Sequence, residues 1–155
     1  MSFPKDFMWG AAAAAYQIEG AYNEDGRGLS IWDVYSGYHG NTKYNETGNV
    51  ACDHYHRVDE DVAIMKELGL KYYRFSISWP RVIPEGVGKV NDKGLTFYSD
   101  LVDKLLANGI EPIVTLYHWD YPYALHRKGA WLNDESSEWF LEYTKVVVDA
   151  LSDRV

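Results

Sequence analysis

With 155 residues, 46% hydrophobic and 25% charged, the chain has the make-up of one globular domain with a packed core, not of a disordered or membrane-embedded polypeptide. Its 23 acidic against 15 basic residues leave a formal charge of −8 and no basic cluster, so a phosphate backbone would be repelled and nucleic acid is excluded as a partner. Cys52 is the single cysteine, which rules out an internal disulfide and calls for no oxidising compartment.

From the N-terminus, Met1 to Lys5 carries one lysine and a proline, and the run Ala11 to Ala15 is too short and too weakly apolar for a signal or spanning helix. A cytoplasmic location away from membranes is therefore expected. A first strand is expected near 7 to 16. At its end stands Gln17, a two-way amide that can both donate to and accept from vicinal hydroxyls. The polar stretch from Gly37 to Gly48, with Asn41, Thr42, Asn45 and Glu46, reads as a surface loop at the rim.

A first amphipathic helix is predicted near 51 to 68, with Ala51, Tyr55, Val58, Val62, Met65 and Leu68 on one stripe and Gly69 as its left-handed stop. Asp53, His54, His56 and Asp59 could suggest a metal site, and Cys52 with His56 is a one-turn pair. Asp53, His54 and His56 point around different sides of the helix, so a helix-entry network is the better reading and no metal or cofactor is expected.

A second strand follows near 72 to 78, in which Arg74, Ser76 and Ser78 share one face and Tyr73, Phe75 and Ile77 the other, helix-facing one. A second helix is predicted near 92 to 108, capped at Asn91 or Asp92 and striped by Leu95, Tyr98, Leu101, Val102 and Leu105, with Gly109 as its stop. A third strand near 111 to 118 ends in His118. A third helix near 135 to 151 carries Trp139, Phe140, Tyr143, Val146, Val147, Ala150 and Leu151.

Strands alternating with helices at this spacing form βαβ units, whose crossovers make the strands parallel. A doubly wound sheet and a (β/α)₈ barrel both satisfy the pattern. Polar residues pointing away from the helices favour the barrel, and no glycine-rich phosphate loop follows any strand. The fold class is therefore α/β, with residues 1–155 supplying the first three βα units of a TIM barrel that a single such chain leaves incomplete. Aligning Gly69 on Gly109 sets Ser78 against His118, so both are expected at C-terminal strand ends, where barrel sites lie. Aromatic residues reach 15% and include six Trp; the core takes most of them, and a surplus of flat rings suits sugar faces.

Five segments then stand in a telling order. Phe7-Met8-Trp9-Gly10 with Tyr16-Gln17-Ile18-Glu19-Gly20 comes first, followed by Ser30-Ile31-Trp32-Asp33 and by Asp53 to Arg57. Tyr73 to Arg81 and Thr115 to Asp120 complete the set. They resemble, in sequence order and over nearly the whole chain, the N-terminal part of family 1 glycoside hydrolases of the β-glucosidase type. The resemblance implies a retaining β-glucosidase that hydrolyses terminal β-D-glucosyl residues through a glycosyl-enzyme intermediate, without metal or organic cofactor. It also implies that Gln17, His118 and Trp119 bind the nonreducing sugar, and that Arg74 lies beside the nucleophilic glutamate. A fixed guanidinium would help hold that carboxylate ionised.

The family's two catalytic carboxylates, about 5 to 5.5 Å apart in retaining enzymes, belong to N-E-P and E-N-G segments, and neither segment occurs here. Asn45-Glu46 is followed by Thr47, and Glu85-Gly86 follows a proline in a loop. No catalytic residue is thus expected on the chain itself, which alone should be inactive. Departures from the family pattern are the plain alanine run and Asp120-Tyr121-Pro122-Tyr123 in place of D-L-P-Q, which leave the leaving-group preference open. The Tyr117-His118-Trp119-Asp120 form resembles the unphosphorylated branch more than the 6-phospho branch. The expected partners are a β-glucoside or small oligosaccharide and a complementary barrel fragment or a second copy. A stand-alone sugar-binding module and a ligand-free assembly fragment remain as alternatives.

Overall fold

The computed structural model describes residues 2–155. Three parallel strands, β1 (Gly10–Ala12), β2 (Tyr72–Ser76) and β3 (Glu111–Thr115), form one sheet in the order β1-β2-β3. Three long helices, α3 (His54–Glu67), α5 (Asp92–Ala107) and α7 (Ser136–Leu151), cover its outer face. Short helices sit in the connections: α1 (Ala15–Ile18), α2 (Ile31–Gly37), α4 (Trp79–Val82) and α6 (Tyr123–His126). Among the described residues no helix is long and apolar enough to cross a membrane.

The period-two pattern of β2 holds. Tyr73, Phe75 and Ile77 are buried together with Val58 and Val62 of α3, Tyr98, Leu101, Val102 and Leu105 of α5, and Tyr143, Val147 and Leu151 of α7. Each such large side chain taken out of water contributes roughly 1.5–3 kcal/mol before the entropic cost of ordering it. At the C-terminal end of the sheet the core becomes aromatic. Trp79 stacks on Tyr143 with ring centroids 4.8 Å apart, meets Tyr121 edge-on at 5.3 Å, and donates its indole N–H to the Gly86 carbonyl. Gly69 and Gly109 close α3 and α5 in the same way, both with φ of 71°.

Several boundaries differ from the sequence expectation. The strand expected near 7 to 16 is only Gly10–Ala12, because Phe3, Phe7 and Trp9 gather in an exposed aromatic cluster and Ala15–Ile18 turn into a helix. That turn is fixed by the Ala15 N–H donating to Ser76 Oγ at 2.8 Å. α3 begins at His54, not near 51, since Ala51 and Asp53 are left-handed, and Leu68 at its end is exposed instead of on the buried stripe. Asn91 does precede α5 but caps no helical N–H; its side-chain amide donates to the carbonyls of Asp25 and Arg81.

The register also corrects the alignment of the two units. Ser76 pairs with Thr115, which is one residue out of step with the Gly69-to-Gly109 alignment and would carry Ser78 to Tyr117, not His118. A one-residue slip changes the face on which a side chain emerges. His118 therefore reaches its position through the turn after β3, and not through strand alternation.

Candidate functional site

Past the C-terminal ends of β1 and β3 the connecting segments surround a cleft of ≈410 Å³ lined by Ala14, Tyr16, Gln17, Trp32, His118 and Trp119. Its walls come from three separate parts of the chain, α1, α2 and the turn after β3. Gln17 is exposed, His118 and Trp32 are half-buried, and Trp119 projects from the surface. Trp119 holds φ at 73°, a left-handed conformation that costs a bulky L-residue about 1–2 kcal/mol and is kept only where the surroundings over-determine it.

The surroundings do so. Asp120, Tyr121 and Pro122 are buried directly behind Trp119. The Ile31 N–H donates to the Tyr121 carbonyl and the Tyr123 N–H to the Leu29 carbonyl, both at 2.8 Å, tying this turn to the start of α2. That start is itself clamped. Ser30 and Asp33 form a reciprocal capping box, and the same Asp33 oxygen receives the buried Arg27 guanidinium at 2.9 Å. Trp32 is thereby held between the two anchors, with the Tyr16 hydroxyl donating to Ser36 beside it.

Beneath Gln17 lies a buried polar network. Glu19 accepts from Arg81 Nε at 2.9 Å through one oxygen and from the Tyr98 hydroxyl at 2.6 Å through the other. Arg81 also donates to the Gly20 carbonyl and lies 4.3 Å over the Tyr55 ring. Burial works to lower the Arg81 pKa, but the opposing Glu19 charge overrides it and the guanidinium stays firmly ionised. Burial holds the Tyr98 hydroxyl well above the usual tyrosine range, so it remains a donor.

Asp120 is the outlier. It is 1% exposed, and neither carboxylate oxygen has a hydrogen-bond partner among the described residues. Burial, reinforced by the Glu19 charge, pushes its pKa up to about 7.

The structure thus brings Gln17, His118 and Trp119 together. Arg74 does not line this cleft; it lies half-buried in β2, paired with Ala12 and Ile113. The cleft lining contains no carboxylate, and Glu46 and Glu85 are exposed in loops. The cluster considered for metal instead ties down the entry to α3: His56 bridges Asp53 at 2.6 Å and Glu24 at 3.0 Å, while His54 meets Asp61. Sequence reasoning passed over Glu19, Arg81 and Asp120 as functional supports. Their signal was present as acidic and basic residues beside apolar segments, but nothing local shows that residues so distant in the chain meet.

The sequence profile of glycosyl hydrolase family 1 matches residues 1–155. The chain is 60% identical over its whole length to beta-glucosidase A of Acetivibrio thermocellus, of which it covers 35%. It is 53% identical over 153 residues to the 1,4-beta-D-glucan glucohydrolase of Thermotoga neapolitana, covering 36% of it. A beta-glucosidase from Thermotoga maritima solved in complex with deoxynojirimycin superposes on 99% of the chain with a TM-score of 0.97 at 56% identity, and the chain covers 35% of that structure. The chain spans about a third of the length of these relatives.

Proposed function

The chain belongs to glycosyl hydrolase family 1, and we propose that it is the sugar-contacting first segment of a retaining β-glucosidase, three βα units of its eight-unit barrel. The observation that carries this reading is the meeting of Gln17, His118 and Trp119 in one cleft beyond the strand ends. In it the Gln17 amide donates to one hydroxyl of a terminal glucosyl unit and accepts from its neighbour. The Trp119 ring offers a flat apolar face to the C–H face of the sugar, and His118 supplies a ring nitrogen.

The nucleophile and the acid/base come from residues outside 1–155, with their carboxyl groups about 5 to 5.5 Å apart as retention requires. Arg74, on the face of β2 away from the helices, favours the ionised form of the nucleophile. Unphosphorylated β-glucosides are the proposed substrates, the cytoplasm the proposed compartment, and a complementary barrel segment or a second copy the proposed partner. The exposed three-residue edge strand β1 and the exposed Ile113 of β3 are surfaces that such a partner would cover.

One observation favours a rival, a module that binds sugar without chemistry, because the cleft lining holds no carboxylate. Mass-resolved sizing of the chain, with a chromogenic β-glucoside and its 6-phosphate assayed on each species alone and after mixing with the remainder of such a barrel, separates the readings. Turnover of the unphosphorylated substrate only in the mixture is expected. Turnover by the chain alone would sink the assignment of both carboxylates to other residues, and binding without turnover in any mixture would favour the module.

A further inference from the structure

Apart from the Gln17 cleft, a smaller cavity of ≈240 Å³ opens at the entry to α3 and holds the chain's single thiol. Ala13, Ile18, Ile64, Met65 and Tyr73 make its apolar walls, and Cys52, His54 and Asp61 are its polar members. Cys52 is exposed, on a segment whose path is set by left-handed backbone at Ala51 and Asp53 on either side of it. His54 is the opposite case. It is 2% exposed, its ring meets Phe97 edge-to-face with centroids 6.4 Å apart, and its Nδ1 lies 2.5 Å from Asp61 Oδ2.

The Asp61 contact assigns the proton. A carboxylate only accepts, so Nδ1 carries the hydrogen and donates it, which leaves Nε2 of the neutral ring as a lone-pair acceptor. Nε2 is buried and has no hydrogen-bond partner among the described residues. Buried polar atoms are nearly always paired, so an orphaned acceptor in the ring that lines the thiol's cavity marks a place for a proton. Cys52, His54 and Asp61 are then the nucleophile, the base and the group that orients the base. The wall beside them stays neutral, because burial first, and then the charges of Asp61, Glu19 and Cys52, push the Tyr73 hydroxyl up to about 12.

We propose that this cavity is a thiol–disulfide exchange site, at which Cys52 is capped reversibly by a small neutral disulfide. The Cys52 sulfur attacks one sulfur of the reagent, and the new S–S bond forms as the old one breaks. Cys52 is thereby oxidised, and the departing sulfur is reduced to a thiol. The Cys52 proton passes to His54 Nε2, directly or through one water, and from there to the departing thiolate. Apolar walls, the adjoining Asp61 and the formal charge of −8 disfavour an anionic disulfide such as oxidised glutathione, for which ≈240 Å³ is also too small. None of these residues lines the Gln17 cleft, so the site stands whether or not the chain contacts a sugar.

Because Cys52 is the only cysteine, capping reads as a single mass increment that dithiothreitol removes. Second-order rates with 2-hydroxyethyl disulfide at neutral pH are measured by mass spectrometry on the 155-residue chain, folded and unfolded in urea. The folded chain is expected to react about tenfold faster than the unfolded one, whose thiol has no positioned base. Oxidised glutathione should show no such gain. His54→Phe should bring the folded rate down to the unfolded one with the far-ultraviolet circular dichroism unchanged. Should that variant fail to fold, the unmutated chain decides, since capping of Cys52 must move the ring-nitrogen NMR signals of His54. A folded rate no greater than the unfolded one, a His54→Phe chain as fast as the unmutated one, or His54 signals that stay in place on capping would each overturn the site. An equal gain for oxidised glutathione would overturn the reagent class.

Discussion

Glu19 and Arg81, far apart in sequence, meet in an ion pair 2.9 Å long with both side chains almost wholly buried. Gln17 lies two residues before Glu19 on the same turn of chain, and Glu19 also receives the Tyr98 hydroxyl. The pair thus fastens the end of α1 to α4 and aims Gln17 outward while Glu19 points into the core.

Removing one partner should cost more than the interaction itself contributes, because the other charge stays buried without compensation. Glu19→Ala is expected to lower stability by about 3–5 kcal/mol and to weaken saccharide binding through displacement of Gln17. Glu19→Gln, which keeps hydrogen-bonding capacity toward Arg81 and Tyr98, should cost less. Urea unfolding monitored by tryptophan fluorescence measures both, and equal losses would show that the charge is not what matters.

Trp119 combines a left-handed backbone with an exposed ring. Trp119→Gly relieves the 73° φ and removes a ring that is 67% exposed. A gain in stability of about 1 kcal/mol is expected, being the strain relieved less the extra entropy of a glycine in the unfolded chain. Saccharide binding should fall at the same time. A lowered melting temperature would mean that the ring packs more than its exposure indicates.

Asp120 should make stability depend on pH with a definite sign. Its folded-state pKa is raised from 3.8 to about 7 by burial and by the Glu19 charge, so the folded protein holds a proton that the unfolded chain has released. Stability therefore falls as pH rises between about 4 and about 7, by at most about 4 kcal/mol from this group, and levels off above that. His56, held above its usual range by Asp53 and Glu24, also loses stabilisation as pH rises, so the difference between two proteins is the clean measure. Asp120→Asn should flatten the slope in urea unfolding series at pH 5, 6, 7 and 8. An unchanged slope would place the titration elsewhere.

Gly94 sets helix propensity against packing. In the first turns of α5 alanine would be favoured over glycine by about 1 kcal/mol. A Cβ at Gly94, however, would lie 2.0 Å from the Arg81 carbonyl oxygen, a backbone atom in the turn that carries the buried guanidinium. Gly94→Ala is expected to destabilise the protein by about 2 kcal/mol net. Thermal unfolding of this variant decides which effect wins, and a stabilised protein would mean that the Arg81 turn can move aside.

The long elements were legible because their cause is local and periodic. The stripes of α5 and α7, the alternation of β2 and the left-handed stops at Gly69 and Gly109 each follow from residues within a few positions of one another. Gln17, His118 and Trp119 were legible through motifs that resemble one family, and the cleft brings these three together. The short helices α2, α4 and α6 were not legible, since one or two turns have too little periodicity to read and are held by distant partners such as Tyr121 for Ile31.

By itself, then, the sequence determined the parallel strand-helix units, the apolar faces that cover the sheet and the residue types that line the cleft. Tertiary structure alone decided the one-residue register that places His118 beyond its strand, the left-handed turn that presents Trp119, and the meeting of Glu19 with Arg81. The reason is physical. Periodicity acts over a few residues, whereas register, strain and buried charge are settled by contacts between segments tens of residues apart, which form only when the whole core closes.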